Sequence, residues 1–93
     1  MNKEDLMNGM IVETRDGTRM MYCEGIMRGS DDFEDIDTYE DNLTCSDKEM
    51  PELDIMKVYE DRRMFSLRYV FLDSSLKLIW ERPESQMLRA FPN

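Results

Sequence analysis

The sequence predicts a mainly β domain, either a small SH3-like β-barrel or a rolled antiparallel sheet, with one short helix. Three observations lead there. Asp16-Gly17 separates two β-prone runs, residues 10–15 and 18–23. Residues 55–60 and 76–81 are further runs of strand-forming side chains. Helical spacing is confined to Leu67, Val70 and Phe71. Strands that far outnumber helices in so short a chain point to a sheet closed or curled on itself. A ferredoxin-like α+β fold needs two full helices and fits less well.

Asn8-Gly9 reads as the turn that launches the first strand, Met10-Ile11-Val12-Glu13-Thr14-Arg15. Asp-Gly then predicts a two-residue type I′ hairpin, because Gly tolerates the positive φ that turn requires. Thr18-Arg19-Met20-Met21-Tyr22-Cys23 is the returning strand, with Cys23 expected as a small buried apolar residue. Gly25 and Gly29 bracket a short third strand, Ile26-Met27-Arg28. Three strands in succession suggest a meander.

Residues 31–54 form an acidic insertion. One helical turn is expected over residues 38–43, capped by Thr38 or Asp37, and loop over 46–52. Residues 55–60 carry apolar side chains on both faces and are expected to form a central strand. Ser66 is the expected N-cap of the short helix over 66–72. In the last strand Leu76, Leu78 and Trp80 alternate toward one face, and Trp80 is expected to supply the largest burial. The domain is read as residues 1–83, and 84–93 as a C-terminal tail.

With 93 residues the chain is one domain. Its net charge of −9 is a local property. Residues 31–54 hold eleven acids against one base, Lys48, while the remainder holds ten acids and eleven bases. Such a charge is repelled by phosphate backbones and anionic lipid, which argues against direct binding to nucleic acid or membrane. The electrostatically suitable partner is a basic protein surface. The start of the chain lacks a basic region followed by an apolar run, and no stretch approaches a membrane span, so a cytosol is expected. Cys23 and Cys45 have no metal-ligand spacing and are expected as free thiols.

Histidine is absent, which removes the commonest general base and metal ligand. Phosphate-cradling glycine loops are absent as well. An EF-hand register started at Asp35 fails: Tyr39 falls at position 5, Glu40 at 6 and Ser46 at 12. No enzyme and no cofactor are expected. Two readings of the acidic block remain. A charge run is commonly a solvated loop. Alternatively, spaced carboxylates imitate a phosphate backbone and enter a Lys/Arg-lined channel. On the second reading the candidate contact residues are Asp31, Asp32, Glu34, Asp35, Asp37, Tyr39, Glu40 and Asp41. Phe33 and Leu43 are expected to fold back onto the sheet, while Tyr39 fits either role. Five methionines in the first third, Met7, Met10, Met20, Met21 and Met27, read mostly as core filler.

Residues 8–20, 38–44, 53–60 and 76–82 together resemble a family of short proteins carried by phages and prophages of Firmicutes. The most specific parts are Lys57-Val58-Tyr59-Glu60 and Ile79-Trp80-Glu81-Arg82. The likeness spans most of residues 4–82 and carries over no functional residue. It implies a small accessory protein acting in a bacterial host. With the acidic block, it leads to the expectation of a non-enzymatic inhibitor of a nucleic-acid-handling or defence protein, such as a CRISPR nuclease. The alternatives are a protein that sequesters a nucleotide or other small molecule, with Arg15, Arg19, Arg28 or Arg62-Arg63 lining an anion pocket, and a phage assembly adaptor.

Overall fold

The computed structural model describes residues 1–61 and 76–83, and within them the chain is mainly β. Six strands form one antiparallel sheet: β1 (Ile11–Thr14), β2 (Arg19–Cys23), β3 (Ile26–Arg28), β4 (Phe33–Asp35), β5 (Ile55–Asp61) and β6 (Leu76–Glu81). Their spatial order is β4-β3-β2-β1-β5-β6. Helical structure among the described residues is limited to 3-10 turns at Lys3–Asp5, Ile36–Thr38 and Pro51–Leu53. The helix expected over 66–72 and the tail 84–93 lie outside the described residues.

The meander anticipated from the glycines is present and extends to four strands. β5 is central, between β1 and β6. The register shifts between Glu13 and Thr14 where β1 meets β5, and between Val58 and Tyr59 where β5 meets β6. Each extra residue bends its strand and increases the local twist, which curls the sheet around its apolar face.

Two turns differ from the sequence reading. The loop at Asp16-Gly17 is not type I′. Gly17 N–H donates to the Thr14 carbonyl at 2.9 Å, and Thr14 N–H to the Thr18 carbonyl at 2.9 Å. Only Gly17 in this loop has positive φ, at 91°. This is a three-residue connection, a type I turn followed by a left-handed residue. The type I′ geometry belongs instead to Glu24-Gly25, with φ of 51° and 85°, closing the Cys23–Ile26 pair. Asn8 braces that turn: its side-chain amide donates to Glu24 Oε2 at 2.7 Å, and its carbonyl oxygen accepts the Glu24 N–H at 2.8 Å.

The acidic stretch is no appendage. After β4, at one edge of the sheet, the chain must reach β5, which lies beyond β3, β2 and β1. Residues 36–54 make this crossing over the apolar face and form the second layer of the core. The sheet contributes Val12, Met20, Met27, Ile55 and Val58; the crossing segment contributes Tyr39, Leu43 and Cys45; Leu6 closes one side. Across the sheet Val12 stands opposite both Met20 and Val58. Among the described residues Tyr39, not Trp80, is the largest fully buried side chain. Trp80 is half-buried, because β6 has a sheet neighbour on one side only among the described residues. Leu78 does not share its burial: the bulge breaks the expected alternation and leaves Leu78 45% exposed. Cys23 ends β2 and is exposed, while Cys45 takes the buried role expected of Cys23. Both are free thiols.

Candidate functional site

The crossing segment repeats the local chemistry of the first hairpin. In Glu40-Asp41-Asn42-Leu43-Thr44, Leu43 N–H donates to the Glu40 carbonyl at 2.9 Å and Glu40 N–H to the Thr44 carbonyl at 2.8 Å. Asn42 Oδ1 accepts the Thr44 N–H at 3.1 Å, as Asp16 Oδ1 accepts the Thr18 N–H at 3.1 Å. The Thr14 hydroxyl and the Thr18 amide both donate to Asp16, and these hold its carboxyl below the usual range. The left-handed position is Gly17 in the first loop and Leu43, with φ of 72°, in the second. A leucine there costs about 1–2 kcal/mol of backbone strain. Complete burial of its side chain offsets this, at about 2–3 kcal/mol. The helical turn expected over 38–43 is replaced by this loop, and the 3-10 turn lies upstream at Ile36–Thr38, capped by Asp35 accepting the Asp37 N–H.

Further contacts made by Tyr39, Lys3, Asp54 and Arg82 fix the segment. The Tyr39 hydroxyl donates to the Leu53 carbonyl at 2.7 Å, and Tyr39 bridges to Cys45. Lys3 N–H donates to the Asp41 carbonyl at 2.9 Å, so the N-terminal turn docks on the second loop. Asp54 accepts the buried Cys45 N–H at 2.7 Å through Oδ1 and pairs with Arg15 at 2.9 Å through Oδ2. Arg82 donates to the carbonyls of Ile55, through Nε at 3.1 Å, and of Asn42, through Nη2 at 2.8 Å, with its guanidinium over the Trp80 ring. The sequence offered Arg15 only as a lining of an anion pocket and gave Asp54 and Arg82 no individual role. Their partners are distant in the chain and mostly backbone groups, which leave no motif.

The acids lie on β4 and the connection before it as well as along this layer. Asp31 and Asp32 sit in the β3–β4 connection, Glu34 and Asp35 on β4, and Asp37 on the 3-10 turn. Glu40 and Asp41 occupy the loop docked on the N-terminal turn. All of these are exposed except Glu34, which is half-buried. Among the described residues, Asp54 is the only one of the eleven segment acids with an ion pair. The other ten have no ion pair among the described residues.

Two of the aromatic assignments are corrected. Tyr39 is only 2% exposed, so it anchors the layer and does not present itself to a partner. Phe33 was expected to fold back, yet it is 65% exposed. It lies on the sheet face opposite the core, opposite Arg28 in register, with the Arg28 guanidinium 5.8 Å from its ring centre. Leu43 is buried as expected.

Burial of Tyr39 raises its phenol above the ordinary value of 10.0, with Glu34 adding to the effect. The folded state therefore keeps this proton more tightly than the unfolded chain. Stability is full below the unfolded value and falls as pH rises above about 10 toward the raised folded value. Urea denaturation at rising alkaline pH should show this loss, and Tyr39→Phe should lack its share of the slope. An unchanged slope in Tyr39→Phe would contradict the buried phenol.

The arginines proposed for an anion pocket do not converge. Arg15 pairs with Asp54 and donates to the Pro51 carbonyl. Arg19 pairs with Glu13 at 2.8 Å and stacks on Tyr59. Arg28 stacks on Phe33, and the Arg62-Arg63 pair lies outside the described residues. Among the described residues no three His, Cys, Asp or Glu side chains are grouped to hold a metal ion. No helix among them is long and apolar enough to cross a membrane. No family model, curated protein or solved structure matches the chain, so the reading of this site rests on its own geometry.

Proposed function

We propose that this chain is a non-enzymatic binding protein whose acidic layer occupies a basic, nucleic-acid-binding surface of a bacterial host protein and inhibits it. The phage-family resemblance implies a CRISPR nuclease or another defence protein as the partner. One observation carries the reading. Ten carboxylates without an ion pair among the described residues project from a segment anchored through Tyr39, Leu43, Cys45 and Asp54. A solvated loop needs no such anchoring. A surface meant to match a fixed array of cations gains from it, because less freedom is lost on binding.

The test is inhibition of purified Cas nucleases by the variant Asp31→Asn, Asp32→Asn, Glu34→Gln, Asp35→Asn, Asp37→Asn. The Asn at position 35 retains the oxygen that caps Asp37. Folding should be unchanged or improved, since self-repulsion falls. Inhibition should weaken by about 100-fold, the combined effect of several peripheral charges at roughly 0.5 kcal/mol each. Full inhibition by the neutralised variant would assign the charge to solvation alone.

A further inference from the structure

The acidic segment begins at a strand edge: among the described residues β4 pairs only with β3. Gly29 N–H donates to the Asp32 carbonyl at 2.7 Å, and Ile36 N–H to the Gly25 carbonyl at 2.8 Å. These two bonds bracket the strand. Backbone alternation therefore directs the polar groups of residues 32, 34 and 36 toward β3, and those of Phe33 and Asp35 outward. The Asp35 carbonyl accepts the Thr38 hydroxyl at 2.7 Å. The N–H groups of Phe33 and Asp35 and the Phe33 carbonyl have no partner among the described residues.

We propose that this edge accepts an extended, Lys- or Arg-bearing segment of the partner as a seventh strand. The inference rests on the acidic-surface reading and specifies how the partner is engaged. Main-chain hydrogen bonds supply affinity in strand addition, and flanking side chains supply selection. Here selection comes from charge. Asp31, Asp32, Asp35 and Asp37 flank the edge and are all exposed. Like charges facing one another would repel a second copy of this chain, which is how acidic or basic edges ordinarily resist self-pairing. The same carboxylates attract a basic strand. The exposed Phe33 ring beside the edge offers the apolar contact that an interface centre requires.

The probe is a synthetic peptide of alternating Arg and Thr, compared with the same peptide N-methylated at every amide, which blocks both of its edges. Both carry the same charge, but the methylated peptide cannot complete a ladder. Binding at low salt is measured together with amide hydrogen exchange of the full chain. The unmethylated peptide should bind about tenfold tighter, because it alone completes the ladder hydrogen bonds. It should also slow exchange at the amides of Phe33 and Asp35. Equal affinity of the two peptides, without such protection, would overturn strand addition and leave the acidic-surface reading intact. Binding of neither would overturn both.

A second arm uses Asp35. Its φ of −85° accommodates proline. Asp35→Pro removes the outward N–H together with the carboxylate, and Asp35→Ala removes the carboxylate alone. Asp35→Pro should bind the unmethylated peptide several-fold more weakly than Asp35→Ala. Equal binding by these two variants would contradict the inference.

Discussion

Tyr39→Ala should destabilise the domain by about 3–5 kcal/mol, the range for truncating a large buried aromatic. Tyr39 is the largest fully buried side chain among the described residues, and it joins the crossing segment to the sheet. Truncation removes its packing against the core and leaves the Leu53 carbonyl without the hydroxyl it now accepts from. Small domains have about 5–15 kcal/mol in total, so the variant should be close to unfolding at physiological temperature. Thermal or urea denaturation followed by circular dichroism measures it, with a spectrum dominated by β-structure in the parent protein. A loss below about 1 kcal/mol would mean that the acidic segment does not pack on the sheet.

The second large effect is expected at Asp54. Its carboxylate binds the buried Cys45 N–H and the Arg15 guanidinium at once, and the side chain is 13% exposed. Asp54→Ala leaves a buried donor and a partly buried cation without their partner, at about 3 kcal/mol. Asp54→Asn keeps an oxygen for Cys45 and loses only the charge, at about 1 kcal/mol. The two variants separate the hydrogen bond from the ion pair. Equal, small losses in both would show that the pair is a surface contact of little worth. Arg15 also donates its backbone N–H to the Asp54 carbonyl, at 2.8 Å. The tip of the first hairpin and the end of the acidic segment therefore stabilise one another.

The sheet was legible because its signals are local. Glycine turns, β-prone runs and the two-sided apolar pattern of residues 55–60 each act within a few residues. The role of the acidic segment was not legible in the same way. Its apolar residues, Phe33, Ile36, Tyr39 and Leu43, are spaced by three, three and four, which suits a helix, yet the segment crosses the sheet in turns and bridges. Nothing in the sequence distinguishes Tyr39, which goes in, from Phe33, which stays out. That choice follows from topology: Phe33 belongs to β4 and faces away from the core, whereas Tyr39 lies after the chain has turned over it. Leu43 in a left-handed conformation breaks the rule that reserves that region mainly for glycine and asparagine. Only the buried pocket beneath it explains the exception. The acids themselves were legible as a block, and the structure adds that they stand on a packed layer.

The central claim is that this layer meets a basic partner through its charge. The most direct measurement is the association rate with an inhibited nuclease over a series of salt concentrations, for the parent chain and for the variant neutralised at Asp31, Asp32, Glu34, Asp35 and Asp37. Exposed charges act mainly on encounter, and salt screens them over about 10 Å at moderate ionic strength. The parent rate should fall steeply with salt, and the neutralised variant should start low and stay nearly flat. Parallel lines of equal height for the two proteins would contradict the claim.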